Sequence, residues 1–325
     1  MVSQFIKPHY LVTGGAGFIG SNIVQELLEA GVRVRVLDNL KTGRAENLDS
    51  VRKKLASYAC DLEIIEGTMA DIDMCKRAVE GVDYVLHQGA IPSVPRSVDI
   101  PVESNEANVN GTLNMLLASK SAGVKKFVYA ASSSAYGNSP DLPKVETQRP
   151  QPRSPYAAQK VMGEYYCSIF NEIYGLPTVS LRYFNVFGPR QNPASSYAPV
   201  VPKFITCMMR GERPPVHGDG EQSRDFSYVD NVIQANLNAV FAGPEANGRV
   251  FNIACGERHS LNEMLSVLGK IMGVDPNPQY LPTRVGDVMH TQADISLARS
   301  VLGYRPMVGF EEGLRKTVEW YRENS

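Results

Sequence analysis

An α/β architecture built on a doubly wound parallel sheet is what this sequence predicts, and three observations carry that expectation. Short apolar runs alternate with helix-period segments from residue 9 to residue 184, a glycine-rich turn joins the first run to the first helix, and an acidic residue closes the second run. Repeated strand–helix units place helices on both faces of one sheet, and such sheets bind ligands at the carboxyl ends of their strands.

Residues 9–13 read as the first strand, and Gly14-Gly15-Ala16-Gly17-Phe18-Ile19-Gly20 follows at once. The run satisfies G-x-G-x-x-G from Gly15 and a G-x-x-G-x-x-G spacing from Gly14. A helical pattern through Ile23, Leu27 and Leu28 stops at Gly31, and residues 32–37 read as a second strand closed by Asp38. Glycines alone would mark no more than a turn. In this strand–turn–helix–strand context they let the backbone approach a pyrophosphate at a helix N-terminus. Asp38, 18 residues beyond Gly20, is placed to bond adenosine ribose hydroxyls. A carboxylate there repels a 2′-phosphate, which predicts NAD rather than NADP.

The alternation continues with strands at 62–65 and 82–87, a helix at 101–122 and a fifth strand at 126–131. Three segments then fall at carboxyl strand ends: Gln88-Gly89-Ala90, Ser132-Ser133-Ser134, and the loop leading into Tyr156. Ser154 is a good helix N-cap, Pro155 suits the first helical position, and the helix runs to Tyr174 before Gly175 stops it. Tyr156 and Lys160 are four apart, so they share one face with about 5–6 Å between Cβ atoms. A phenol beside a fixed ammonium has its anion stabilised, at about 1.4 kcal/mol per unit of pKa, which makes Tyr156 a candidate base. Without the upstream context, Tyr-x-x-x-Lys would be an ordinary amphipathic helix. Serine-rich loops are likewise ordinary turns, but here a hydroxyl would sit where it can hydrogen-bond the oxygen that Tyr156 deprotonates.

The 325 residues suffice for a large core and two lobes, and the net charge of −1 shows no bias towards nucleic acid or an anionic membrane. No apolar run is long enough to span a bilayer, and no signal-peptide pattern precedes Thr13. Five scattered cysteines without a C-x-x-C read as reduced thiols of a cytoplasmic protein, with no metal site.

Several further segments recur in a recognisable order. They are Asp38-Asn39-Leu40, Asn108-Val109-Asn110-Gly111-Thr112, residues 132–137, Tyr156-x-x-x-Lys160 and Arg182-Tyr183-Phe184-Asn185. With the glycine turn, they make the chain resemble the extended short-chain dehydrogenase/reductase family, and within it the nucleotide-sugar 4-epimerases, from Thr13 nearly to the C-terminus. The resemblance implies that Gly14, Gly17, Phe18, Ile19, Asp38, Asn39, Ala90, Asn108, Tyr156 and Lys160 surround NAD. It places the catalytic hydroxyl on Ser132, four before Tyr136, with Ser133 as the alternative in so repetitive a run. One departure is visible. The family often carries Gly-Asp-(Ile/Leu)-x-Asp near the adenine, and this chain has Gly67-Thr68-Met69-Ala70-Asp71, so a weaker adenine contact is expected.

By the same resemblance, residues 1–185 and 230–255 form the NAD-binding domain, and residues 186–229 and 256–325 form a smaller, discontinuous domain for a UDP-sugar. Ser132, Ser133, Asn185, Arg224, Arg284, Asp287 and Thr291 are its expected substrate-binding residues. Fixed guanidinium groups suit a diphosphate, and Asp287 would accept from the nucleotide ribose. The implied reaction has Tyr156 as base with Lys160 lowering its pKa, a transient 4-keto sugar that rotates, and NAD regenerated each turnover. A homodimer is implied too. A 4,6-dehydratase needs an acid–base pair in the serine loop, which Ser133-Ser134 does not supply. A uronic-acid epimerase or decarboxylase would want a group for the sugar carboxylate; the neutral Asn185 in Arg182-Tyr183-Phe184-Asn185 resembles the neutral-sugar version, though Arg96 leaves a small opening. A non-catalytic NAD-binding regulator is opposed by intact Tyr156 and Lys160. Position 291 lines the family's sugar pocket, and threonine there leaves space beside C2 for an N-acetyl group, unless it merely starts a helix at Ala293-Asp294. Residues 93–97 are similar to the loop of bacterial UDP-N-acetylglucosamine 4-epimerases. The expectation is therefore interconversion of UDP-GlcNAc and UDP-GalNAc, with UDP-Glc/UDP-Gal or uronic-acid epimerisation as the alternatives.

Overall fold

The computed structural model describes residues 7–193, 199–283 and 289–324. Strand β1 (His9–Thr13) is buried along its length, and its alternate residues serve two cores: Tyr10 and Val12 on one face, Leu11 on the other. Helix α1 (Phe18–Glu29) opens at Gly17 and buries Ile23, Val24, Leu27 and Leu28. There follow β2 (Arg33–Asp38), α2 (Ala45–Lys54), β3 (Leu62–Glu66), α3 (Ile72–Val79) and β4 (Tyr84–His87). Asp71 caps α3, its side chain accepting from the N–H groups of Asp73 and Met74.

The segment read as one helix over 101–122 is more divided than its pattern suggests. After α4 (Val94–Asp99) come α5 (Pro101–Asn105), a π-type turn over Glu106–Asn110, and α6 (Gly111–Ser121). Asn108 sits on that widened turn and spends its amide on the peptide of Ile91, accepting from its N–H at 2.7 Å and donating to its carbonyl at 3.0 Å. Strand β5 (Lys126–Ser132), α7 (Pro155–Tyr174) and β6 (Thr178–Tyr183) complete the first run of elements.

The second half is made of shorter pieces: β7 (Val186–Phe187), α8 (Val200–Met209), β8 (Pro215–His217), β9 (Ser223–Arg224) and β10 (Ser227–Tyr228). Then come α9 (Val229–Phe241), β11 (Arg249–Ile253), β12 (His259–Ser260), α10 (Leu261–Met272), β13 (Gln279–Leu281), α11 (Ser296–Leu302) and α12 (Phe310–Glu323). Seven strands form one parallel sheet in the order β11-β6-β5-β4-β1-β2-β3. This is a Rossmann-type doubly wound sheet, and its order reverses between β1 and β4, where a crevice opens outside the strand ends. Three two-stranded ladders, β7 with β10, β9 with β12 and β8 with β13, organise the remainder. One apolar cluster runs from Ile23 and Val36 to Phe187, Phe204, Phe226 and Leu314, so both halves share a core. The opposite face packs Leu11, Val85, Phe127, Tyr129 and Phe170. Among the described residues, no helix is long and apolar enough to cross a membrane.

Candidate active site

A cavity of about 770 Å³ lies at the switch point. Gly14, Gly17, Phe18, Ile19, Asp38, Asn39, Ala90, Tyr156 and Lys160 all line it. Its geometry fits a dinucleotide. Gly14 has φ +66°, and a Cβ there would stand 2.7 Å from Cα of Gly89, while a Cβ on Gly20 would overlap the carbonyl oxygen of Gly14. Only glycine keeps that turn flat against the cavity. Asp38 is 8 % exposed and serves as a hub, Oδ2 accepting from Ala16 N at 2.9 Å and Oδ1 from Leu40 N at 2.8 Å. Burial raises its pKa, and those two N–H bonds oppose the shift. Thr68 and Met69 line the same end of the cavity.

The Gln88-Gly89-Ala90 wall is held by a hydrogen-bond chain that sequence reading missed. Gly89 N–H donates to Thr13 Oγ1 at 3.0 Å, and Thr13 Oγ1 lies 2.8 Å from His87 Nδ1. On the other side His87 Nε2 lies 3.0 Å from Thr112 Oγ1, which donates to Asn108 O at 2.8 Å. Thr112 has used its proton on that carbonyl, so the chain is satisfied when His87 Nε2 carries the hydrogen and Thr13 donates to Nδ1. Burial lowers the His87 pKa to about 3, and the Lys160 charge adds to the effect. The signal available in the sequence was the coincidence of polar residues at the ends of two core strands. Asn108 itself is absent from the cavity wall; it acts one step back, through Ile91 and through Gln159 Oε1, to which it donates at 2.8 Å.

Helix α7 is positioned at its first turn. Ser154 Oγ accepts from Ala157 N at 3.1 Å, and Tyr156 N–H donates to Ser97 Oγ at 3.0 Å. Ser97, which is fully buried, donates in turn to Val94 O at 2.7 Å, so α4 is fastened to the start of α7. Lys160 is 4 % exposed, its Nζ donating to Ala130 O at 2.8 Å and lying 5.0 Å from the Tyr129 ring centroid and 5.9 Å from that of Tyr156. Burial brings its pKa down to about 8, against the raising influence of Cys167 and Glu164.

The electrostatics correct one expectation. Tyr156 has its pKa raised, because the desolvation of the phenol outweighs its hydrogen bond with Ser132. The Lys160 charge is spent on a carbonyl and an aromatic face, and it does not by itself bring the phenol down. Ser132 Oγ also takes a hydrogen bond from Ser134 Oγ at 2.9 Å; of the two candidate serines it is the one joined to Tyr156.

The expected substrate residues divide: Ser132 stays beside Tyr156, whereas Asn185, Arg224 and Thr291 gather elsewhere. Ser132, Ser133, Asn185, Arg224 and Thr291 are absent from the wall of the larger cavity. Asn185, with φ +35°, donates from Nδ2 to Asp225 O at 3.1 Å and to Thr291 Oγ1 at 3.5 Å. Thr291 N–H donates to Ser223 O at 3.0 Å, and Arg224 Nη1 donates to Ser223 O and Met289 O, both at 3.0 Å. Helix α11 opens at Ser296, so Thr291 does not start it. Arg284 and Asp287 lie outside the described residues. A second cavity of about 420 Å³ adjoins this cluster, lined by His217, Gln222, Tyr280 and Met289 among others.

The arrangement of sheet, glycine turn and Tyr–Lys helix is that of a nucleotide-dependent oxidoreductive fold, and residues 10–254 match the model of the NAD dependent epimerase/dehydratase family, to which the chain belongs. The chain is 40 % identical to the structure of UDP-N-acetylglucosamine 4-epimerase from Methanobrevibacter ruminantium M1 in complex with UDP-N-acetylmuramic acid, with a TM-score of 0.91, covering 98 % of this chain and 99 % of that one. It is 38 % identical over 317 residues to the UDP-glucose 4-epimerase of Mycolicibacterium smegmatis, covering 97 % of this chain and 99 % of the relative. The UDP-glucuronic acid 4-epimerase of Bacillus cereus, solved with UDP-glucuronic acid and NAD, is 30 % identical with a TM-score of 0.88, covering 98 % of this chain and 100 % of that one.

Proposed function

We propose that this protein is a NAD-dependent UDP-sugar 4-epimerase that interconverts UDP-GlcNAc and UDP-GalNAc. The observation that carries the reading is Tyr156, facing the dinucleotide cavity, hydrogen-bonded to Ser132 and backed by Lys160. NAD, when bound, supplies a hydride acceptor for C4′ of the sugar and a positive ring beside the phenol. Tyr156 takes the proton of the 4′-hydroxyl and returns it, and Ser132 donates to the same oxygen and orients it. Lys160, locked onto Ala130 O, holds a positive charge behind the phenol. Arg224 and Arg284 bind the diphosphate, Asp287 the ribose, and the second cavity receives the uridine end.

Support for the N-acetyl sugars is the small side chain of Thr291, set against Asn185 with no aromatic ring to fill the space beside C2. A second reading, a uronic acid as substrate, is favoured by Arg96, which lines the same cavity as Tyr156. Purified protein incubated with UDP-GlcNAc, UDP-Glc and UDP-GlcA decides between them; 4-epimer formed fastest from UDP-GlcNAc is the expected result, and no turnover of any would leave a NAD-binding regulator. We infer further that the protein is a homodimer. Helix α7 exposes Met162, Tyr165, Ile169 and Ile173 at helical spacing, with Val98 and Leu117 on the helices packed beside it. A second copy brought across a two-fold axis would cover that face with its own.

A further inference from the structure

We infer that Arg190 is a binding residue for the cofactor pyrophosphate, reaching across from the start of the second half of the chain to the glycine turn of the first. The inference rests on the NAD reading of the larger cavity. Arg190 lines that cavity together with Gly14, Gly17, Phe18 and Ile19. It is held at φ +66°, a left-handed conformation uncommon for a long side chain and of the kind retained where a side chain has to be aimed.

Its surroundings lack a counter-charge. Nη1 donates to Asn22 Oδ1 at 3.1 Å, and Nη2 donates to Gln25 Oε1, both neutral amide oxygens on α1. Asn22 answers by donating to Pro189 O at 3.1 Å, so the guanidinium is fixed in place without being neutralised. Desolvation weakens the hold of Arg190 on its proton, and the attraction that opposes this most comes from Glu29. Glu29, however, is shared with Lys54 at 3.5 Å and Gln25 at 2.9 Å. Among the described residues no carboxylate forms an ion pair with Arg190, and a cation withdrawn from water without one is costly until an anion arrives.

Three of the other four cations on the cavity wall are engaged, and the fourth, Arg96, sits on α4, which is fastened to the start of α7. Lys41 pairs with Glu103 and Arg44 with Glu46, while Lys160 is bound to Ala130 O beside Tyr156. The first turn of α1 offers a diphosphate only partial positive charge from its free N–H groups. A planar guanidinium with donors to spare supplies the full charge and two-point geometry that such a group requires. Because Arg190 follows β7, it also ties cofactor occupancy to the seating of the second half of the chain against α1.

The test compares wild type with Arg190→Gln and Arg190→Lys, each first stripped of bound nucleotide, by calorimetric titration of NAD, ADP-ribose and adenosine, and by melting temperature with and without NAD. Arg190→Gln should weaken NAD and ADP-ribose by about 10- to 100-fold, the scale of a charge-assisted hydrogen bond, and leave adenosine unchanged. Arg190→Lys should recover part of the loss. The nucleotide-free melting temperature should hold or rise in the Gln variant, since an uncompensated cation has been removed, while the NAD-induced rise shrinks. NAD and ADP-ribose affinities within twofold of wild type would overturn the inference, as would a nucleotide-free melting temperature that falls as far as the loaded one. Wild type that binds neither nucleotide would instead overturn the NAD reading itself.

Discussion

Tyr156 and Lys160 show opposite consequences of one environment. Desolvation raises the pKa of the phenol and makes the ammonium easier to lose, with a pKa of about 8. Tyr156→Phe should keep the NAD site and reduce turnover by at least about 10²-fold, the scale of lost general-base catalysis. Turnover within a few-fold of wild type would move the base to another group. The charge on Lys160 is present below about pH 8 and lost above it, so kcat/KM should decline on that side. A profile flat to about pH 10 would show that ligand binding restores the charge in full. At Thr291, a tyrosine would fill the space beside Asn185. Thr291→Tyr should remove UDP-GlcNAc activity selectively, by about tenfold or more, an effect of about 1–3 kcal/mol of overpacking. Equal treatment of UDP-GlcNAc and UDP-Glc by wild type and variant would place the gate elsewhere.

Among the elements, the end of β4 is the most exposed to pH. The folded state binds no proton on His87 until about pH 3, whereas the unfolded chain binds one below about pH 6.5. The unfolded state therefore holds more protons between those values, and this contribution to stability is complete above the window and falls as pH falls through it. From pH 7.5 to pH 5 the loss should be about 2 kcal/mol in urea unfolding. His87→Gln keeps a donor and an acceptor without a titrating ring, and it should flatten that slope. An unchanged slope would assign the acid sensitivity to other groups. At the opposite wall, Gly20→Ala would drive a Cβ into Gly14 O, so nucleotide extracted from the purified variant should fall to a small fraction of the wild-type amount. In wild type that nucleotide should be NAD(H), since Asp38 stands where a 2′-phosphate would be repelled.

At the scale of the whole molecule, the apolar face of α7 is a feature that one chain leaves uncovered. Tyr165 is 59 % exposed and Ile173 69 % exposed, both on the side of the helix away from Lys160 and the cavity. Light scattering on a sizing column should give twice the chain mass for wild type and a smaller species for Tyr165→Glu, because a charge at the centre of such a face opposes its burial. A dimeric Tyr165→Glu would put the interface on another surface.

Sequence alone determined the features whose geometry is local. The strand–glycine–helix turn, Asp38 closing β2, the Ser154–Pro155 start of α7 and the placing of Tyr156 and Lys160 on one face each depend on a few adjacent residues with fixed periods. The tertiary structure decided what depends on segments far apart in the chain. Arg190 meets Asn22 across 168 positions, Asn185 meets Thr291 across 106, and His87 finds Thr13 across 74, contacts that no spacing rule encodes. The sign of the Tyr156 shift belongs there too. A pair of residues can be read from a pattern, but desolvation is set by everything packed around them, and here it outweighs the hydrogen bond with Ser132.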